Sequence, residues 1–284
     1  MKKDKLCVII GYDSYLAQNL DKYLKDMQIL KYSYLDWRDN IELIKKADYV
    51  LNFAISPLTF TEDLVIDDII DIQIAKELEK TKALYFFMSS RKVYGKSSEL
   101  IVLNEESELK PFDFYSRNKC NIEYKLKQML DERLSIVRIS NIIGKPEIKN
   151  DYKTFMGWIT KNYLENGYLS LNQSKNTVRD FITKDYFQYV LSELVKNDVT
   201  GIHNISSNLN ISLGDILGAI VGPENVIEEK EVVITDQFLL SNEKTKKYLS
   251  KILSKEQLLE IGESYRKDLN LLKSIFDEEK KVNE

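Results

Sequence analysis

The fold of this chain is decided near its N-terminus by the stretch LCVIIGYDSYLA, residues 6–17. Its first five residues are all hydrophobic, which is typical of a strand buried on both faces of a parallel sheet. Gly11 ends this run, and a helix-like pattern from Tyr15 to Met27 follows, with a leucine every four residues on one face. A strand, a glycine turn and a helix in this order begin a βαβ unit and therefore predict a parallel sheet.

The same alternation continues as far as the stretch that ends at Arg138. Further strands are predicted at 32–35, 48–54, 83–89 and 134–138, and helices at 41–47, 64–80 and 115–130. This pattern predicts an α/β fold of the Rossmann type, a doubly wound parallel sheet with a smaller C-terminal α/β lobe. We assign residues 1–148, joined by 179–206, to a dinucleotide-binding domain, and residues 149–178 and 207–284 to a substrate-binding lobe.

The composition excludes several classes of function. The chain has 41 Lys and Arg residues and 45 Asp and Glu residues, which gives a net charge of −4. This balance lacks the excess of positive charge that is typical of nucleic-acid-binding proteins. One histidine, His203 in a strand-like run, and two cysteines cannot build a zinc site or a disulfide scaffold, and we expect no metal. No apolar run reaches the ~20 residues of a membrane span. The N-terminus MKKDK enters a strand at once, so we expect no signal peptide and a cytoplasmic location.

The turn after the first strand partly matches a dinucleotide-binding turn. Such a turn needs glycine at the bend, a very small residue where the backbone meets the pyrophosphate, and another where the helix packs on the strand. Gly11 and Ala17 fit the first and third positions, whereas Ser14 places a hydroxyl at the second. A plain strand-to-helix connection explains the pattern equally well. Asp36 could bind the ribose hydroxyls and Arg38 a 2′-phosphate, or both could be surface charges.

A serine, a tyrosine and a lysine carry the predicted chemistry. Tyr115 and Lys119 stand four residues apart at a helix start and so share one face. A nearby ammonium favours phenolate, so we expect the pKa of Tyr115 to fall from about 10 toward the working range. Tyrosine then becomes a usable general acid or base. Ser90, at the end of a neighbouring strand, can hydrogen-bond the same substrate oxygen.

Several segments of the chain resemble motifs of the extended short-chain dehydrogenase/reductase superfamily. The resemblance is to its NAD-dependent epimerase/dehydratase group, which acts on nucleotide sugars, and it covers nearly the whole length. One segment is similar to Ser-Ser-Ser-x-Val-Tyr-Gly, the next ends in Tyr-x-x-x-Lys, and a later one is similar to Arg-Asp-Phe-Ile-x-Val-Asp-Asp. The matching segments follow the family's order and are Asn52–Ala54, Ser89–Gly95, Glu105–Lys119, Arg138–Pro146, Arg179–Asp185 and Gly201–Ser206.

The resemblance implies roles for the catalytic and cofactor-binding residues. Tyr115 would donate or remove the proton on a sugar hydroxyl or ketone, and Ser90 would fix the reacting oxygen. Lys119 would tune the tyrosine and hold the nicotinamide ribose. The cofactor-binding residues would be Gly11, Ser14, Tyr15, Leu16, Asp36, Arg38, Phe53, Ala54, Tyr115 and Lys119.

The resemblance also implies a substrate site and a partner. The nucleotide sugar would contact Ser90 and Lys92, and its diphosphate would contact Asn141 and Arg179, whose planar fork suits that task. The alternative for Arg179 is a structural pair with a neighbouring aspartate, either Asp180 or Asp185. Family members commonly dimerise through helices, so we expect a homodimer.

Departures from the family pattern narrow the reaction. Members that remove water across C5 and C6 carry an acidic pair after the catalytic Ser or Thr, where this chain has Arg91 and Lys92. Members that epimerise at C3 and C5 use a Cys and a His, and Lys92 stands in place of that Cys. The compressed region before Asp48 lacks a strand and helix of a full member and is more like the sugar 4-ketoreductases. Ser14 argues against very tight cofactor retention, which a 4-epimerase needs.

These arguments favour one hypothesis over two alternatives. The leading hypothesis is an NAD(P)H-dependent reductase of the C4 ketone of a nucleotide-linked 6-deoxy sugar, an activity of polysaccharide biosynthesis. NADP(H) is favoured as the cofactor, and NAD(H) is possible. The alternatives are a nucleotide-sugar 4-epimerase with tightly bound NAD and a non-catalytic dinucleotide-binding protein.

Overall fold

The computed structural model describes residues 5–145 and 154–283. Its strands are β1 Leu6–Ile10, β2 Gln28–Tyr32, β3 Tyr49–Asn52, β4 Leu84–Ser90, β5 Ile101–Leu103, β6 Leu134–Ile139, β7 Asn141–Ile143, β8 Leu169–Gln173, β9 Val178–Arg179, β10 Phe181–Thr183, β11 Gly201–Ile205, β12 Ile211–Ser212, β13 Val226–Val233 and β14 Phe238–Leu240. Its α-helices are α1 Ile41–Ile44, α2 Ile70–Leu78, α3 Phe114–Leu130, α4 Phe155–Asn166, α5 Lys184–Lys196, α6 Leu213–Val221, α7 Glu243–Lys246 and α8 Lys255–Asn283.

Six strands form the central sheet, in the order β11-β6-β4-β3-β1-β2, and every neighbouring pair is parallel. This confirms the predicted doubly wound α/β fold. The order reverses between β1 and β3, and a crevice opens at such a point at the carboxyl ends of the strands. β2 lies at the edge of the sheet, as the compressed region before Asp48 implied.

Hydrophobic residues fill both faces of the sheet because alternate side chains of a strand point to opposite sides. In β1, Cys7 and Ile9 join the cluster under α5 and α6, whereas Val8 and Ile10 join the cluster under α2 and α3. All four are at most 1 % exposed. This two-sided burial explains why the strand has a continuous hydrophobic run instead of an alternating one.

The predicted helix from Tyr15 to Met27 is wrong. Within the stretch the structure has turns and one 3₁₀ turn, Leu20–Tyr23, preceded by Asn19 with a left-handed φ of 70°. That conformation cannot continue an α-helix, and it is tolerated best by glycine and asparagine. The second predicted strand, at 32–35, is also displaced, because β2 ends at Tyr32.

A second group of elements packs on the sheet and supplies the C-terminal lobe. β8 pairs with β13, and α6 and α4 pack against the long helix α8. β11 returns to the central sheet beside β6. The predicted boundary at 148/149 lies outside the described residues, and the domain assignment stays a prediction. Among the described residues, no helix combines the length and apolar character needed to cross a bilayer.

Candidate active site

The turn after β1 is built around Gly11. Its φ is +72°, its amide donates to the carbonyl of Tyr32 at 2.8 Å, and a Cβ there would lie 2.5 Å from the amide nitrogen of Ala54. Glycine alone fits this position without strain. The Ser14 amide donates to the Gly11 carbonyl at 3.0 Å, while the buried Ser14 hydroxyl has no hydrogen-bond partner within 5–145 and 154–283. A polar ligand at this edge would satisfy that hydroxyl.

The other predicted residues of the turn pack into the fold around it. The ring of Tyr15 lies against Gly144, where a Cβ would overlap its hydroxyl, and the Lys184 ammonium stands 4.3 Å from the ring centroid. Leu16 is half-buried against the core. Phe53 follows β3 and is buried, with its amide bonded to the last residue of β1.

A cavity of about 430 Å³ lies along the segment that follows β3. It runs from Tyr34, just past β2, along part of the segment 55–65, to Asp71 of α2 and Lys119 of α3. The glycine-only bend, the unsatisfied Ser14 hydroxyl and this cavity together fit a dinucleotide laid across the carboxyl ends of the strands. One feature differs from the usual arrangement: no α-helix starts directly after the turn, so a pyrophosphate would meet turn amides without a helix dipole.

Asp36 and Arg38 lie beside the cavity and have partners of their own. The Asp36 carboxylate accepts hydrogen bonds from the amide and hydroxyl of Ser33, at 2.6 and 3.0 Å. The Arg38 guanidinium hydrogen-bonds Gln73 and stacks 4.6 Å over the ring of Trp37. Both charged side chains are exposed at the β2 end of the site, and their predicted contacts with the adenosine stay predictions.

Gly11→Ala should destabilise the protein by about 2–4 kcal/mol, because it adds a left-handed alanine and an overpacked contact. Gly167→Ala is the matched control: Gly167 has φ +79°, but a Cβ there meets nothing within 4 Å. That variant should cost about 1–2 kcal/mol from the backbone alone. Urea unfolding measures both, and equal losses in the two variants would contradict the steric argument at Gly11.

Tyr115 is placed by the start of α3. The Asp113 carboxylate accepts from the Ser116 amide at 2.8 Å, and the Ser116 hydroxyl accepts from the Asp113 amide at 3.1 Å, which forms a capping box. This cap fixes the first turn of the helix. The Ser90 hydroxyl, at the end of β4, lies close enough to the Tyr115 phenol to lower its pKa, and the ring of Tyr115 stacks on Phe60 with centroids 4.9 Å apart. The structure therefore brings Ser90 and Tyr115 together.

The pKa of Tyr115 differs from the sequence expectation. Burial raises it, the nearby Ser90 hydroxyl partly opposes this, the Asp113 charge adds to the rise, and the result is a pKa of about 12. The predicted net lowering is not found, because the Lys119 ammonium, 5.9 Å from the ring centroid and bonded to the Met88 carbonyl, does not outweigh the burial. Tyr115 is therefore a protonated acid at neutral pH.

Lys119 lies one helical turn after Tyr115 and is almost fully buried. Its ammonium donates to the carbonyl of Met88 at 2.7 Å and lies 4.5 Å from the centroid of Phe87. Burial lowers the pKa of Lys119, while the charges of Asp71 and Glu123 oppose that shift. The lysine thus forms the inner end of the 430 Å³ cavity.

Asp71 is a buried charge that the sequence reasoning missed. Its Oδ1 accepts from Asn52 at 2.7 Å and from the Tyr85 hydroxyl at 2.6 Å. The residue is 4 % exposed and lines the same cavity as Lys119. The one available signal was an aspartate inside the apolar run Ile69-Ile70-Asp71-Ile72, where a charge needs a buried partner.

Arg179 pairs with Asp236, not with Asp180 or Asp185, so that alternative is corrected. Its Nε donates to the Asp236 carbonyl at 3.1 Å, and an Nη lies 3.4 Å from the carboxylate. Arg91 binds the same carboxylate with two hydrogen bonds, at 2.8 and 2.6 Å. Burial lowers the pKa of Arg179 to about 10, which the Asp236 charge opposes and the Arg91 charge reinforces.

A second cavity, of about 160 Å³, lies at Arg179 in the C-terminal lobe. Phe155, Trp158, Asn172 and Gln173 line it together with Arg179. Aromatic faces, amides and a cation are side chains that suit a nucleotide. This cavity is the second candidate binding region of the chain.

Lys92 and Asn141, the remaining predicted substrate-binding residues, lie in different parts of the structure. The Lys92 ammonium is half-exposed, 3.1 Å from the Asp113 carboxylate and 5.6 Å from the centroid of Tyr115, which places it at the reacting end of the site. The Asn141 amide donates to the Asp180 carbonyl at 3.0 Å and holds β7 against β10. Both roles toward a substrate stay predictions.

His203 lies in β11, which confirms that it is a strand residue. It is 6 % exposed, and its Nε2 hydrogen-bonds the Thr200 carbonyl at 2.9 Å. Burial lowers the pKa of His203, so the imidazole stays neutral at pH 7. Over the described parts of the chain, no group of three or more His, Cys, Asp or Glu side chains is arranged to hold a metal ion.

Comparison with known proteins gives one family and a set of structures. The model of the NAD dependent epimerase/dehydratase family matches residues 3–205. A UDP-N-acetylglucosamine 4-epimerase from Methanobrevibacter ruminantium, in complex with UDP-N-acetylmuramic acid, has a TM-score of 0.74 and 17 % identity over 93 % of this chain and 98 % of its own. RMD from Pseudomonas aeruginosa, complexed with NADPH, has a TM-score of 0.72 and 14 % identity over 94 % and 97 %.

A third structure covers the chain in the same way. A UDP-N-acetylglucosamine 4-epimerase from Bacillus cereus has a TM-score of 0.70 and 14 % identity over 94 % of this chain and 99 % of its own. At such identities the likeness shows the fold. No curated protein sequence matches the chain.

Proposed function

The chain belongs to the NAD-dependent epimerase/dehydratase family, and on that premise we propose that it reduces the C4 ketone of a nucleotide-linked 4-keto-6-deoxy sugar. The family supports an enzyme that uses a nicotinamide dinucleotide and acts on a nucleotide sugar. The choice of ketone reduction within that family rests on the residues at the carboxyl ends of β3 and β4.

The observation that carries the proposal is the protonated phenol of Tyr115 beside Ser90. A pKa of about 12 keeps this phenol protonated at neutral pH, so it begins the reaction as a proton donor and not as a base. A reductase needs an acid first, because the ketone oxygen becomes an alkoxide. A 4-epimerase instead begins by taking a proton from a hydroxyl, and a base with so high a pKa starts in the wrong protonation state.

The geometry supports a single proton transfer from Tyr115. A bound nicotinamide dinucleotide would supply the hydride that converts the C4 ketone into an alkoxide. The Ser90 hydroxyl and the Tyr115 phenol lie close together, so one sugar oxygen can accept hydrogen bonds from both, and Tyr115 gives it the proton. The ring of Phe60 stacks on one face of Tyr115 and shields that face from water.

The residues after Ser90 oppose a dehydratase. Elimination of water across C5 and C6 requires a positioned acid and base. Arg91 is buried and bonded to Asp236, away from the phenol, and Lys92 is paired with Asp113. Neither position carries a carboxylate.

NADP(H) is the favoured cofactor within this proposal, with NAD(H) as the alternative. The exposed guanidinium of Arg38 can meet a 2′-phosphate, whereas Asp36 already accepts two hydrogen bonds from Ser33. The nucleotide end of the substrate would bind the 160 Å³ cavity at Arg179. A homodimer, a cytoplasmic location and a place in polysaccharide biosynthesis stay predictions.

The test is a panel of UDP-, dTDP- and GDP-linked 4-keto-6-deoxy sugars, each offered with NADPH or NADH. We expect oxidation of the added cofactor with at least one sugar and a reduced sugar product of matching stoichiometry. Dialysed, heat-denatured protein should release far less than one NAD per chain. If no panel member is reduced while NAD is retained at one per chain, the proposal fails.

A nucleotide-sugar 4-epimerase is the second candidate, and the family match favours it equally. It would use the same Ser90, Tyr115 and Lys119 and would retain its NAD through dialysis. Interconversion of C4 epimers without added cofactor identifies it. Absence of NADH and NADPH binding at millimolar concentration would point instead to a chain without oxidoreductase activity.

A further inference from the structure

Lys119 and Asp71 are two buried ionisable residues, one basic and one acidic, on neighbouring helices. Lys119 of α3 is 5 % exposed, Asp71 of α2 is 4 % exposed, and the helices pack against each other. Both side chains line the same 430 Å³ cavity. An unpaired charge in such a place is strongly unfavourable, so each group needs the other or must lose its charge.

The contacts of Asp71 favour its charged form. Its Oδ1 accepts hydrogen bonds from the Asn52 amide at 2.7 Å and from the Tyr85 hydroxyl at 2.6 Å. Two donors on one carboxylate oxygen stabilise the anion. Burial raises the pKa of Asp71, and the positive charge of Lys119 is the first of the factors that oppose this.

The other groups that face Lys119 leave its charge unbalanced. Glu123, one turn later on α3, is already neutralised by Arg138 of β6, which donates to both of its oxygens at 3.1 and 2.7 Å. Met88 of β4 offers only a carbonyl. Tyr115 is a neutral phenol with its ring centroid 5.9 Å away. Of the described carboxylates that line the cavity with Lys119, Glu62, Asp63 and Asp68 are exposed to solvent, and Asp71 is the buried one.

We propose that Asp71 is the counter-charge that keeps Lys119 protonated, and that it is thereby a positioning residue for proton transfer by Tyr115. After Tyr115 has donated its proton, an ammonium at Lys119 stabilises the phenolate, whereas a neutral amine does not. The expected effect of Asp71 on turnover rests on the proposed function. The charge state of Lys119 can be tested independently of that function, because it is a property of the chain itself.

Asp71→Asn is a sharp test, since an amide oxygen can still accept from Asn52 and Tyr85 while the charge is removed. In protein labelled with ¹³C at lysine Cε, the Lys119 signal, identified by its loss in Lys119→Arg, reports the titration. We expect the midpoint to fall by about one pH unit or more, a tenfold loss of proton affinity. The alkaline limb of turnover should move to lower pH by a similar amount.

Tyr85→Phe is the matched control, because it removes one hydrogen bond and keeps the carboxylate. Its Lys119 midpoint should move much less than in Asp71→Asn. An unchanged midpoint in Asp71→Asn, or an equal shift in both variants, overturns the proposal, since Asp71 then holds a proton or acts through its hydrogen bonds alone. If the midpoint falls but no 4-keto sugar is reduced, the proposed function fails and the charge pair stands.

If Asp71→Asn does not fold, the double variant Asp71→Asn, Lys119→Met decides. Removing both charges removes the unpaired ammonium, so the double variant should fold and show a cooperative unfolding transition in urea. A double variant that also fails to fold contradicts the pairing.

Discussion

Tyr115→Phe should lower kcat for reduction of the accepted 4-keto sugar by about 10²- to 10⁴-fold, the usual contribution of a positioned general acid. The substitution removes the phenolic proton beside Ser90, while the ring can still stack on Phe60. Binding of the dinucleotide, followed by nicotinamide fluorescence, should change little. Steady-state kinetics with a saturating cofactor measures the loss.

Tyr124→Phe is the control on the same helix. Tyr124 is 67 % exposed on α3, so loss of its hydroxyl should leave kcat within about twofold, as surface substitutions away from a site have small effects. Near-normal turnover in Tyr115→Phe would remove Tyr115 from the chemistry and with it the proposed reduction.

Glu123→Leu should destabilise the protein by about 3–5 kcal/mol, because it leaves the guanidinium of Arg138 buried without a counter-charge. Both side chains are nearly inaccessible, at 4 % and 3 % exposure, and the closest nitrogen and oxygen are 2.7 Å apart. Ser89 also loses its hydrogen bond to this carboxylate. Urea unfolding, followed by circular dichroism, gives the free energy of unfolding directly.

The double variant Glu123→Leu, Arg138→Leu separates the charge from the packing. Replacing both partners removes the unpaired cation, so the double variant should be more stable than Glu123→Leu alone. A double variant that loses as much as the sum of the two single variants would mean that the pair stabilises the fold by packing and not by mutual neutralisation.

The central sheet was predictable from the sequence because a strand buried on both faces has a continuous hydrophobic run. The stretch after Gly11 was not, although its leucines repeat with a helical period. Leu16, Leu20 and Leu24 do pack inward, but through turns, since Asn19 takes a left-handed conformation that hydrophobic periodicity does not report. Hydrophobic periodicity shows which side chains are buried. A helix and the observed series of turns would bury the same leucines here, so the periodicity does not distinguish between them.

Nearby residues of the site could be placed from the sequence, whereas its distant charge pairs could not. The spacing of Tyr115 and Lys119 follows from helix geometry, and Ser90 follows from the end of a strand. The pairing of Arg91 with Asp236, 145 positions apart, depends on how the C-terminal lobe folds back. The direction of the pKa shift of Tyr115 could not be predicted from the sequence either. Burial of the phenol beside Phe60 raises this pKa by more than the neighbouring lysine lowers it.

The position of β2 at the border of the sheet has a consequence for association. No strand of the described residues pairs with its outer backbone groups, and such an edge can template pairing with another chain. Lys31 is exposed in this strand and forms an ion pair with Asp21 at 3.1 Å. A lysine on an edge strand opposes strand-to-strand aggregation, because pairing would bury its charge. The edge strand of this sheet is thus protected by a charge that would have to leave water when a second chain pairs with it.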